Sequence, residues 1–172
     1  MASFFAVMEA TKHGYAILDT GATTSLCGRG CFNKLQKYVG RSIEVDTSVR
    51  KRFKFGNGQM ETAFGVAKFP WKWYNFSRTV DVHLIEPAAP CLIGIDVLTE
   101  IKGVCDLGKN LLKADPARWN DEDKNLKCPK QLVIPLRKIE SGHVCIPFFV
   151  ESCKGSQPTF DLSEGSVNRP SS

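Results

Sequence analysis

Short apolar runs broken by glycine, proline and asparagine recur along the chain, and few stretches show helical spacing. Residues 4–8 and 15–18 are apolar and flank Thr11, Lys12, His13 and Gly14, a polar stretch able to close a hairpin. Two strands are therefore expected to lead into Asp19. From Cys31 to Val39, Phe32, Leu35 and Val39 recur at helical spacing and predict a short helix. Phe53, Lys54 and Phe55 alternate as strand residues do. Gly56, Asn57 and Gly58 supply a turn tolerant of positive φ, and residues 60–69 return as the second strand.

Trp71 to Trp73 and residues 80–85 continue the strand pattern through a connection at residues 74–78, until Pro87 and Pro90 interrupt it. Residues 92–101 read as a brief helix, and residues 104–107 and 111–112 as strands around Gly108, Lys109 and Asn110. Residues 115–130 are polar and loop-like. Residues 132–134 and 144–146 can pair as a hairpin across Glu140, Ser141 and Gly142, whereas residues 154–172, rich in serine, glycine and proline, predict a disordered tail. The pattern predicts an all-β domain over residues 1–114 with one or two short helices, a C-terminal extension over 115–153, and the tail. The segment around Asp19 has no second copy in the chain.

Length sets the scale: 172 residues, 42% of them hydrophobic, suffice for one core and not for two full-sized domains. Lysine and arginine number 23 against 18 acids, and the excess gathers partly at Arg50, Lys51 and Arg52 and at Lys34, Lys37 and Arg41. No dense basic stripe with interleaved aromatics accompanies it, so no specific nucleic-acid partner is expected. The 7 cysteines show no disulfide framework, which predicts free thiols in a reducing compartment. The apolar run at residues 4–8 lacks a basic leader, Glu9 ends it, and no stretch reaches membrane-spanning length. The expectation is a soluble, intracellular, cytoplasmic protein with no membrane partner.

Candidate chemistry centres on Ala16-Ile-Leu-Asp-Thr-Gly-Ala22, where a carboxylate ends an apolar strand just before a small hydroxyl residue and a glycine. One carboxylate there is costly to desolvate. Two held face to face can share a proton and hold a water, one acting as base and the other as acid toward a peptide carbonyl. Gly21 permits close approach of a partner chain or substrate, and Thr20 can fasten the loop by hydrogen bonding. The tripeptide alone would be read as an ordinary turn. Its combination with the glycine hairpin and with Cys91-Leu-Ile-Gly-Ile-Asp-Val-Leu98, in this order, is more specific.

In that combination the sequence resembles the retropepsin-like aspartic proteases of retroviruses, LTR retrotransposons and their cellular relatives, from about residue 4 to 113. The resemblance implies a retropepsin-like, closed β-barrel-type protomer with a flap hairpin. It further implies a homodimeric aspartic endopeptidase that needs no cofactor or metal and cuts extended peptide or polyprotein segments. Asp19 would be the catalytic aspartate and Thr20 would pair across the dimer axis. Gly21, Leu92, Ile93 and Gly94 would support the catalytic loop, Ala22 would line the cleft, and Gly56, Asn57 and Gly58 would form the flap tip.

Residues 53–59 look more like retrotransposon polyproteins than like the viral enzymes, and residues 28–49 look like an insertion. Many viral members carry an acid soon after the Gly-Ala and an arginine after the later glycine, where this chain has Thr23-Thr24 and Ile95-Asp96. Asp96 reads as a helix-start residue rather than a second acid. A cellular regulatory protease and a noncatalytic dimerisation or peptide-binding module are the alternatives. Cys27 and Cys31 lack a matching pair for zinc and read as loop thiols. His143 and Cys145 read as bystanders, and Trp71 and Trp73 as core residues sharing one strand face.

Overall fold

The computed structural model describes residues 11–125 and 127–151, so the strand expected at residues 4–8 and the tail at 154–172 lie outside the described residues. In chain order come β1 (Tyr15–Leu18), β2 (Leu26–Gly28), α1 (Arg29–Val39), β3 (Val45–Asp46), β4 (Arg52–Lys54), β5 (Met60–Thr62), β6 (Gly65–Trp73), β7 (Phe76–Ile85), β8 (Leu92–Ile93) and α2 (Ile95–Glu100). Then follow β9 (Val104–Asp106), β10 (Leu111–Ala114), a 3-10 turn (Pro116–Arg118), β11 (Asn120–Asp121), β12 (Leu132–Pro135), β13 (Arg137–Lys138), β14 (Val144–Pro147) and β15 (Phe149–Val150). The class is all-β, as the short alternating runs predict.

The sheet is organised around β6 and β7, paired without interruption from Gly65↔Leu84 to Trp73↔Phe76. Their alternating residues bury Phe69, Trp71 and Trp73 on one strand and Val80, Val82 and Leu84 on the other. The connection between them is shorter than the predicted 74–78. Phe76 is buried opposite Trp73, which extends β7 and leaves Tyr74 and Asn75 to turn, Tyr74 with φ 58°. The predicted helix at 92–101 likewise begins late. Leu92 and Ile93 extend alongside β1, and α2 starts only after Gly94.

Along the main sheet the strand order is β13-β14-β1-β8-β2-β7-β6-β15. Among the described residues the neighbours of β1 come from far along the chain: β8 runs parallel to it and β14 antiparallel, with Ala16 opposite Ile146. The first strand of the hairpin expected through residues 11–14 lies outside the described residues. Residues 11 and 12 are helical, and Gly14, at φ 79°, turns straight into the strand. Residues 144–150 then pass from one end of the sheet to the other, pairing first with β1 and afterwards with β6. At the crossover Phe148 is buried, donates its N–H to the Gly14 carbonyl at 2.9 Å and accepts from Lys72 N–H at 2.9 Å. One piece of chain thus ties the two ends of the sheet together into a closed barrel.

The C-terminal hairpin also differs from its expectation. β14 folds back on β13, through a turn ending at Gly142 with φ 88°, while β12 joins β10 and β9 in a separate three-stranded sheet. Burial explains the choice. Leu132 and Ile134 enter the core beside Leu112 and Ala114, which β10 could not cover alone. Leu132, Ile134, Leu136, Ile146, Phe148 and Val150 belong to the same core cluster as Phe32, Trp71 and Val97. The stretch expected to be a loop, 115–130, contributes Trp119, which packs 4.4 Å from Trp73 between ring centroids. Within residues 28–49, α1 turns Cys31, Phe32 and Leu35 inward and ends at Gly40, whose φ of 82° suits a left-handed cap.

Candidate active site

β1 delivers Asp19 to the rim of the barrel. Ile17 N–H donates to Cys91 O at 2.8 Å and Asp19 N–H to Ile93 O at 2.9 Å, so the pairing with β8 continues up to the aspartate itself. The next residues turn at once: Ala22 N–H donates to Asp19 O at 3.1 Å, and Gly21 N–H donates to Asp19 Oδ1 at 3.0 Å. Asp19 is half-buried, Thr20 and Gly21 are exposed, and the carboxylate has only that one hydrogen bond among the described residues.

The rear of this turn rests on Gly94. Ile95 N–H donates to Ala22 O at 2.8 Å, and a Cβ added at Gly94 would overlap that same carbonyl oxygen. Glycine is needed there because two backbones meet. Leu92, Ile93 and Gly94 are therefore assembled directly behind Asp19, Thr20, Gly21 and Ala22, the set singled out in the sequence.

Ser25 is the residue that sequence reasoning missed. Wholly buried, it donates from Oγ to Asp96 Oδ1 at 2.7 Å and accepts from Gly94 N–H at 2.8 Å. Its own N–H donates to Asp96 Oδ2 at 3.0 Å, and Val97 N–H donates to Asp96 Oδ1 at 2.8 Å. Asp96 thus serves both the start of α2 and the end of the Asp19 loop, which extends its predicted helix-start role. Asp46, on β3, caps its own turn through Ser48 N–H at 2.9 Å and Ser48 Oγ at 2.6 Å; these bonds hold its carboxyl below the usual carboxylate range.

Over the site's flank, β4 and β5 form a two-stranded sheet of their own. Gly58 N–H donates to Phe55 O at 2.8 Å and Phe55 N–H to Gln59 O at 2.9 Å, closing a turn in which Gly58 takes φ 83°. Gly56, Asn57 and Gly58 are exposed at the tip of this hairpin, and Asn57 Oδ1 accepts from Gln59 N–H at 2.9 Å. The root is anchored: Phe53 and Phe55 pack against the cluster of Leu26, Ala63 and Ile85, with Leu92 at its edge.

Between root and loop, Lys51 Nζ donates to Thr24 Oγ1 at 2.7 Å. The His83 ring meets Phe53 edge-on, 5.6 Å between centroids, and its Nδ1 is buried without a hydrogen-bond partner. Burial first, and then Lys51, push the His83 pKa below its ordinary value, against the opposing pull of Asp96 and Asp81.

The remaining candidates fall elsewhere. Cys27 and Cys31 are core residues rather than loop thiols, 0% and 1% exposed and close to buried Cys91, because β2 and the first turn of α1 point them inward. Burial raises the Cys27 thiol pKa. No cluster of three metal-ligating side chains occurs among the described residues. His143 Nδ1 lies 2.6 Å from Ser141 Oγ on the surface, while Cys145 is fully buried and its thiol is pushed up to about 12 by desolvation. Trp71 and Trp73 stack in the core at 5.2 Å. No helix among the described residues is long and apolar enough to cross a membrane.

No family model and no curated protein matches the chain. Among solved structures it is similar to the retroviral protease-like domain of Ddi1 from Leishmania major, at 20% identity and a TM-score of 0.40, over 64% of this chain and 94% of that one. The functional reading rests on the residues of the site.

Proposed function

We propose that the chain is one protomer of a homodimeric aspartic endopeptidase in which each copy supplies Asp19 to a single shared site. The observation that carries this reading is the Asp19 carboxylate, held at a rigid strand end by Ile93 and Gly21 yet bonded to one backbone N–H alone among the described residues. Peptide hydrolysis by carboxylates needs two, one to take a proton from water and one to hydrogen-bond the carbonyl oxygen and assist the leaving amine. Asp96 and Asp46 are committed to Ser25, Val97 and Ser48. A second copy can supply the partner acid, and exposed Thr20 and Gly21 leave the loop open to approach.

In this reading two Asp19 carboxylates share one proton and hold the attacking water between them. The tips at Gly56, Asn57 and Gly58 close over an extended peptide, whose backbone can pair with the cleft while alternate side chains enter opposite pockets. Ala22 lines the floor. The substrate is the polyprotein of a retroelement, a choice supported by residues 53–59. The reaction uses protein groups and water alone, without metal or organic cofactor. Asp19→Asn keeps the shape and removes the base, so purified mutant protein should fold normally and cleave nothing in a peptide library; turnover retained by the mutant would refute the mechanism.

A further inference from the structure

The β4 arm of the flap carries Arg50, Lys51, Arg52 and Lys54 against one acid, Glu61, on β5. None of the four cations makes an ion pair among the described residues: Arg50 bonds the Thr47 carbonyl and Lys51 bonds Thr24, while Glu61 is met by Gln59 Nε2 at 3.3 Å. Alternation along the arm separates their directions. Arg52 and Lys54 share the outer face, whereas Lys51 shares the inner face with Phe53 and Phe55, which pack toward Leu26, Ile85 and Leu92 beside the Asp19 loop. Lys51 Nζ stands 5.8 Å from the Phe53 ring centroid and reaches across to Thr24, five positions beyond Asp19.

His83 lies against the same root, with Nδ1 buried and unpartnered. Neither nearby acid bonds Lys51: Asp81 pairs with Lys68 at 2.9 Å, and Asp96, whose charge still reaches His83, accepts from Ser25 and Val97. The corner is thus an exposed cation held by a neutral hydroxyl and flanked by an aromatic ring, with an unpartnered imidazole nitrogen near it. A carboxylate arriving there gains a charge-assisted bond and displaces no resident anion.

We infer that Lys51, backed by Thr24 and His83, forms a subsite that selects an acidic side chain of the peptide substrate. The inference deepens the protease reading and rests on it. Because both protomers contribute a flap, the preference falls on two positions placed symmetrically about the scissile bond.

The test has two arms. Cleavage of a degenerate peptide library should favour Asp or Glu over Asn or Gln at those positions by about tenfold in kcat/KM. Lys51→Arg should keep the preference, Lys51→Met should erase it, and Lys51→Glu should reverse it toward Lys and Arg. In parallel, fluorescein-labelled peptides differing only as Glu or Gln are titrated into Asp19→Asn protein, with and without Lys51→Met. Cleavage with no acidic preference, or with a preference that survives Lys51→Met, overturns the subsite and leaves the protease standing. Tighter Glu-peptide binding that depends on Lys51, with no cleavage of any peptide by the wild type, supports the subsite and removes the protease. Equal binding of both peptides and no cleavage overturns both.

Discussion

Ser25 Oγ donates to Asp96 Oδ1 at 2.7 Å across 71 positions of sequence, and through the same oxygen accepts from Gly94 N–H at 2.8 Å. This contact ties the segment leaving the Asp19 loop to the segment that braces it from behind. Asp96→Ala would leave the buried Ser25 hydroxyl and amide short of an acceptor, a loss of about 1–3 kcal/mol. Urea unfolding should register that loss, and Asp96→Asn, which keeps an acceptor, should recover a good part of it. An equal loss in both variants would mean that the charge rather than the acceptor matters.

Gly94→Ala places a methyl group against the Ala22 carbonyl oxygen. Backbone must shift to admit it, at about 1–3 kcal/mol. Because the displaced group belongs to the Asp19 turn, activity should fall more than stability does, read as kcat/KM at a temperature where the variant is fully folded. Unchanged kcat/KM would separate Gly94 from the site.

Phe148→Ala empties a buried position at the crossover that closes the barrel, with an expected cost of about 3–5 kcal/mol. Thermal unfolding should remain a single transition shifted downward, since residues 132–150 share one core with the rest of the described chain. Two separate transitions would mark the C-terminal region as an independent unit.

These relationships were unequally legible in the sequence. The Asp19 loop and the turn at Gly58 could be read because each depends on local chemistry, a strand end and a positive φ, whereas the Leu92-Ile93-Gly94 brace was implied by the resemblance alone. The pairing of β14 with β1 could not, because a short apolar run such as Val144 to Ile146 carries no mark of its partner. Trp119 was hidden by the polar residues around it, although a lone tryptophan in such a stretch was itself a sign of burial. Ser25 looked like the end of a run of small hydroxyl residues. Only the fold brings Asp96 to it.

His83 gives stability an acid-sensitive component. Burial and then Lys51 lower its pKa in the folded protein, with Asp96 and Asp81 opposing, so the unfolded chain binds a proton there more readily. That contribution is fully present above the ordinary value of 6.5 and is lost as pH falls below it toward the lowered folded value. Melting temperature measured between about pH 7 and 5 should decline less steeply in His83→Gln than in the wild type. Parallel slopes would assign the acid sensitivity to other groups.

The shared site is the central claim, and subunit mixing reads it most directly. A fixed amount of wild-type chain is equilibrated with folded Asp19→Asn chain in tenfold excess, and cleavage per wild-type chain is followed after full exchange. Random pairing leaves roughly a tenth of wild-type chains with a wild-type partner, so activity should fall to about that fraction of the unmixed value. Activity per wild-type chain that is indifferent to the added mutant would contradict the account and place both acids within one chain.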